Sequence, residues 1–247
     1  MSNKPNPVSS RNDPIKFFWC IFIVVAFLFA GCIHMPAPHL PSSWKGMAVE
    51  PVYFADIPGK GRLQIIVAYG PIVENHVALR LVCPGRQVIF WDPGGIYNLK
   101  KAPHTRRDDL IVMDPPDLVT YLEFRERFDD EIVEIFEWEL ETDQAVRLHD
   151  ILENGTDENH PGGLFKTDTA GFFCSSAVSS FLKRFASDVV TVSDIYFWPN
   201  DLARELYTQN PDRVLLFRRN HAPMAYVPPP PAMYGSPNTK SIDQKTP

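Results

Sequence analysis

The chain is 247 residues long, 45% apolar, with a net charge of −6. That length supports one sizeable core and makes a single folded domain the default. No basic stripe with interleaved aromatics is present, so nucleic acid is not an expected partner. The acidity is local: residues 123–158 hold 14 acidic and 3 basic side chains, which reads as a solvated face. Prolines crowd both ends, at Pro36, Pro38 and Pro41 and again from Pro228 to Pro231. Proline lacks the amide that ladders and helices require. The folded part is therefore expected over 44–220, after a proline-rich linker at 32–43 and before a disordered tail at 221–247.

The first 16 residues carry Lys4, Arg11 and Lys16 against Asp13. Phe17 to Gly31 is then an unbroken run of 15 uncharged, mostly bulky apolar residues. A spanning helix needs roughly 20 residues. A run this short with a basic front suits the hydrophobic region of a signal peptide, covering residues 1–31. It ends in Leu28-Phe29-Ala30-Gly31-Cys32, and small residues just before a cysteine resemble the lipobox of bacterial lipoproteins. The resemblance implies that Cys32 becomes the acylated first residue of the mature protein. Ile33 after that cysteine implies, on the same resemblance, sorting to the outer membrane on its periplasmic side. More than one acyl chain gives stable anchoring to a bilayer. The alternative is an uncleaved signal anchor extended by Ile33 and Met35. Both tether the domain outside the cytoplasm.

Within the domain, Gln64 to Gly70 reads as a buried strand, His76 to Val82 as a second and Gln87 to Asp92 as a third. Pro84-Gly85-Arg86 is turn chemistry, so the last two should form a hairpin. Leu110 to Met113 is another short strand. Phe136, Trp138 and Leu140 alternate with Glu137, Glu139 and Glu141, the period of a half-buried strand with its carboxylates outward. Thr142 can cap a helix over 143–153. Asn154 to Gly163 reads as a loop. A helix should run from Cys174 to Phe185, a short one should follow Pro199, and Val214 to Phe217 should close the sheet. The expected fold class is α+β, a mainly antiparallel sheet packed against the helix that carries the cysteine.

Cys174, Ala177, Val178, Phe181, Leu182 and Phe185 fall on one helical face, with the cysteine at the amino end. A helix amino terminus lowers a thiol's pKa, and the thiolate is the nucleophile. Such a nucleophile needs a base and a group that orients the base. With a three-residue hairpin loop, Cys83 pairs with Gln87 and Ala78 with Asp92. His76 and Asp92 then share a face, one diagonal step apart, within reach of an imidazole and a carboxylate. A two-residue loop would set them on opposite faces. The plainer readings are a buried apolar cysteine, a structural histidine, or a Cys83–Cys174 disulfide. The disulfide requires α-carbons within about 7 Å, and seven strand residues, roughly 23 Å, separate Cys83 from His76. Cys20 lies in the signal. The other histidines, His149 among them, look isolated, so neither metal nor cofactor is expected.

Asn75-His76-Val77-Ala78-Leu79 on a strand, a strand ending in Asp92, and Phe172-Phe173-Cys174-Ser175-Ser176-Ala177-Val178 opening a helix resemble the circularly permuted papain-like hydrolases. These are relatives of the NlpC-type cell-wall hydrolases and of lecithin:retinol acyltransferase, and the likeness is nearest to the YaeF/YiiX-like lipoproteins. In that group the histidine strand precedes the cysteine helix. The resemblance implies Cys174 as nucleophile, His76 as general base and Asp92 as the residue holding the imidazole, a place that the family also fills with other polar residues. It implies a membrane-tethered thiol hydrolase acting on an amide in peptidoglycan or a peptide, or on a lipid ester or thioester. The alternative is a catalytically silent binding or scaffold lipoprotein of the same fold. Mass spectrometry of the membrane-extracted protein should find a diacylglyceryl cysteine at Cys32 as the amino terminus. An intact Met1 would establish the signal anchor instead.

Overall fold

The computed structural model describes residues 40–49, 56, 58–70, 75–95, 97, 106–107, 109–125, 132–154, 174–218 and 221–228. The signal segment, Cys32, the loop expected after Asn154 and the final proline-rich residues lie outside them. In chain order the elements are β1 (Lys45–Ala48), β2 (Gly61–Tyr69), β3 (His76–Val82), β4 (Ile89–Trp91), β5 (Arg106–Arg107), β6 (Leu110–Ile111), α1 (Leu118–Arg125), β7 (Ile132–Leu140), α2 (Thr142–Asn154), α3 (Cys174–Phe185), α4 (Pro199–Leu206), a 3₁₀ turn (Tyr207–Gln209), β8 (Arg213–Arg218) and β9 (Met224–Val227). The strands form one antiparallel sheet in the order β1-β9-β8-β7-β2-β3-β4-β6-β5. The fold is α+β. None of the described helices is long and apolar enough to cross a membrane.

Alternation along the strands sends apolar side chains to both faces. On one face Leu63, Ile65 and Val67 of β2 and Val77, Leu79 and Leu81 of β3 lie under Leu148 of α2, Val178, Phe181 and Leu182 of α3, and Leu202 and Leu206 of α4. On the other, Ile66, Ala68, Ala78, Phe90 and Ile135 lie under Leu118, Tyr121, Leu122 and Phe124 of α1. Trp91 meets Phe181 edge-on with ring centroids 6.0 Å apart, which seats α3 on β4. Leu79 opposes Trp91 and Leu81 opposes Ile89, the register a three-residue loop demands. The Arg86 amide donates to the Cys83 carbonyl across that loop.

Three expectations change. Glu137 does not face solvent; it is buried, as is every residue of β7 from Val133 to Trp138. Its registered neighbours Gln64 and Arg213 explain why. The Gln64 amide donates to Glu137 Oε2 at 2.6 Å, Arg213 Nε lies 2.7 Å from Oε1, and Arg62 Nη1 is 3.7 Å from Oε2. A carboxylate can stay in a covered sheet when cations and donors share its face. Val214 to Phe217 does not close the sheet, because β9 and then β1 continue beyond β8. The folded region therefore passes residue 220: Met224–Val227 fits between Pro223 and Pro228, each confined to a strand end where no ladder amide is lost. Finally, α2 begins at Thr142, with Gln144 Oε1 accepting from the Glu141 amide at 3.1 Å. That is the return half of a capping box, one residue earlier than the Thr142 cap expected.

Candidate functional site

The three residues singled out in the sequence meet at one corner of the sheet. β3 starts at His76, and the β4 pairing ends at Leu79 opposite Trp91, so β3 has three residues, His76 to Ala78, beyond its partner's end. His76 has the parity of Ala78, on the α1 face. Val77 has the parity of the α3 face, and its amide donates to Cys174 Sγ at 3.4 Å. The thiol thus meets β3 at the open strand edge rather than across the sheet. Asp92, one residue past β4, carries the parity of Phe90 and turns to the same face as His76. Its Oδ1 lies 2.6 Å from His76 Nε2. Nδ1 is the ring nitrogen that Asp92 leaves unengaged, and the thiol lies near enough to the ring for each group to shift the other's titration.

Asp92 is held by backbone. Its carbonyl accepts from the Gly95 amide at 2.9 Å, closing Asp92-Pro93-Gly94-Gly95 as a turn with Pro93 second and Gly94 third at φ +66. A positive φ at the third position after proline is the type II pattern and requires glycine there. Asp92 Oδ2 accepts from the Tyr97 amide at 3.4 Å. The carboxylate folds over Gly95 so closely that a β-carbon there would sit 2.0–2.1 Å from its Cγ and both oxygens. Asp92 is 1% exposed and His76 9%. Cys174 is half-buried.

The electrostatics follow from burial against mutual charge. Burial alone would lower the His76 pKa. The Cys174 thiolate, then the Asp92 carboxylate, and the hydrogen bonds to both outweigh it and raise the imidazole to about 10. Burial alone would raise the Cys174 pKa. The His76 imidazolium, its hydrogen bond, and the amides of Val77 and Ser175 outweigh that and bring the thiol below its ordinary value. Between the lowered thiol and about pH 10 the pair stands as thiolate and imidazolium, a nucleophile beside a proton donor. The two titrations are coupled and belong to the pair.

Cys83 and Cys174 are both free thiols, so the disulfide alternative is absent. Sequence reasoning missed the amide of Val77, which carries no side-chain signal, and Gly95, whose Asp-Pro-Gly-Gly setting announces only a turn. It also missed the surroundings of His149, which is not isolated. His149 Nε2 lies 2.9 Å from the Gln87 carbonyl, and Nδ1 faces Glu153 Oε2 at 3.4 Å and Arg86 Nη1 at 3.3 Å. His149, Asp150 and Glu153 bring ligand-type atoms within 4.8 Å of one another, but Arg86, paired with Asp150, already supplies the positive charge there. The small cleft beside them, between Gln87–Ile89 and Leu110–Val112, lies at the opposite end of β4 from Asp92. A third buried group, Glu134, accepts from Tyr69 at 2.8 Å and Tyr207 at 2.6 Å, and burial lifts its pKa to about 7 against those bonds.

Comparison with known proteins gives no significant match, whether to a family model, a curated protein or a solved structure. The chemistry at this corner is therefore read from its own geometry.

Gly95→Ala should displace the Asp92 carboxylate without touching Cys174 or His76. The expected outcome is a thiol that alkylates more slowly at neutral pH, with an unchanged far-ultraviolet spectrum. Wild-type alkylation kinetics in that variant would show that Asp92 does not hold the imidazole.

Proposed function

We propose that this chain is a membrane-tethered thiol hydrolase of the circularly permuted papain-like type, with Cys174 as nucleophile, His76 as acid and base, and Asp92 holding the ring. The observation that carries the reading is the Cys174–His76–Asp92 arrangement, with His76 Nε2 on Asp92 at 2.6 Å and the thiol at a helix start facing the same ring. The order of the parts, histidine strand before cysteine helix, agrees with that group. Cys32 would tether the domain to the outer membrane by its acyl chains. The peptidoglycan or lipid of the envelope would then be within reach.

The proposed chemistry starts from the charge pair. The Cys174 thiolate attacks a carbonyl carbon, and the carbonyl π electrons move to oxygen. Amides at the start of α3, which have no intrahelical acceptors, are the donors available to that oxyanion. On collapse, the His76 imidazolium gives its proton to the departing amine or alcohol, leaving a Cys174 thioester. Neutral His76 then takes a proton from water as that water attacks the thioester. Release of the acid restores thiolate and imidazolium. Asp92 keeps the ring turned toward the thiol through both halves and offsets its positive charge.

Cys174→Ala should abolish turnover of an activated p-nitrophenyl ester, and His76→Ala should lower it by roughly 10²–10⁴-fold, the usual worth of a positioned acid–base group. The double variant should be no worse than Cys174→Ala, because members of one unit are strongly non-additive. Asp92→Asn should retain part of the rate. A wild-type protein whose ester turnover survives Cys174→Ala would replace the hydrolase by a silent binding or scaffold protein of the same fold.

A further inference from the structure

The loop between α3 and α4 is fastened to the helix that carries the thiol. Ser175 Oγ donates to the Phe197 carbonyl at 2.6 Å, Ser179 Oγ accepts from the Tyr196 amide at 2.9 Å, and Lys183 Nζ donates to the Ser193 carbonyl at 2.7 Å. Residues 175, 179 and 183 are one helical turn apart, so they form a single stripe along α3. Glu205 of α4 takes the Ser193 amide at 2.8 Å, and Pro199 stops the loop by opening α4. A loop this well anchored nevertheless exposes three large apolar side chains: Ile195 is 42% exposed, Phe197 55% and Trp198 42%. Of the seven large hydrophobics exposed among the described residues, four are scattered elsewhere, at Met47, Met113, Val119 and Val227, whereas these three fall within four consecutive residues.

Their place is what matters. The residue that binds the Phe197 carbonyl is Ser175, next to Cys174, so the apolar loop reaches the first turn of α3, the turn that carries the thiol. Residues 195–199 carry no charged side chain, and Asp194 bounds them on one side. An anionic peptide gains nothing from such a surface, whereas an uncharged hydrocarbon chain does. From this we infer that Ile195, Phe197 and Trp198 form an acyl-binding lip, and that the carbonyl attacked by Cys174 belongs to a fatty acyl ester or thioester whose chain lies on that lip. This rests on the reading of Cys174 as nucleophile. The rigid fastening supplies the preorganisation that binding needs, since little of the chain has to be ordered when the substrate arrives.

The test uses the full chain in micelles and two alkylating probes, iodoacetamide and N-octyl iodoacetamide, with modification read on the Cys174 peptide by mass spectrometry. Partitioning of the octyl probe is common to wild type and variants, so it cancels in their ratio. Wild type should favour the octyl probe, and the octyl-to-iodoacetamide rate ratio should fall about tenfold in Phe197→Ser/Trp198→Ser, with a smaller fall in Ile195→Ser. A ratio unmoved by these substitutions, in a protein whose Cys174 reacts rapidly with iodoacetamide, overturns the lip and leaves the thiol reading standing. A Cys174 that reacts with iodoacetamide no faster than an ordinary cysteine overturns both.

Discussion

In an antiparallel hairpin a single integer fixes which side chains share a face, and in β3–β4 that integer is set by the loop Pro84-Gly85-Arg86. Leu79 opposes Trp91, so Asp92 falls on the face of His76, one diagonal step away. A slip of one residue would turn the carboxylate to the α3 side and leave the imidazole without its partner. The same register ends β4 early enough to leave the Val77 amide free of the ladder, and that amide meets Cys174 Sγ. The hairpin therefore fixes the carboxylate, the ring and one donor to the sulfur together. The helix α3 has only to bring the thiol to the corner, which its packing of Phe181 on Trp91 does.

The chain carries its own comparison for what this corner does to a cysteine. Cys83, at the other end of β3, is a free thiol 2% exposed. Burial raises its pKa, against the nearby Arg86 guanidinium and with Asp150 adding to the rise. Cys174 also pays for desolvation, yet ends below its ordinary value, because an imidazolium faces it and two amides point at it. Burial alone makes an inert thiol. The difference lies in the oriented charge and dipoles, and those come from segments 97 residues apart in sequence. Glu134 is the carboxylate counterpart: buried under two phenols and facing no cation among the described residues, it is lifted toward neutrality.

Much of this was legible in the residues, and the exceptions are instructive. The bounds of β3 follow from an apolar run that ends at turn residues, those of α3 from helical spacing, and the hairpin register from the loop residues. The pairing of His76 with Asp92 follows from that register. Glu137 misled because alternation tells which face a side chain takes, and not whether that face is covered. Its partners Arg62 and Arg213 lie 75 and 76 residues away in the chain. β9 was lost among prolines that mark its two ends rather than a disordered tail. α1, with Tyr121 and Phe124 against Phe90 and Tyr97, borders the acidic run and is only eight residues long, too short for periodicity to separate from its surroundings. Backbone donors such as the Val77 and Tyr97 amides leave no mark in a sequence. The membrane tether rests on the segment ending at Cys32, which the described residues do not include.

The charge state of the pair is the claim on which the chemistry turns, and the ultraviolet absorbance of the thiolate reads it directly. The difference between wild type and Cys174→Ser, followed across pH, should show a thiolate already present below the roughly 8.5 of a free cysteine. The imidazole should stay protonated beside it until His76 loses its proton near pH 10, above which the thiolate remains and the ion pair is lost. The sign is fixed by the two shifts: the thiol's is downward and the imidazole's upward, so the paired state occupies the interval between them. A thiolate that forms only around pH 8.5, with His76 titrating as an ordinary histidine, would contradict the account.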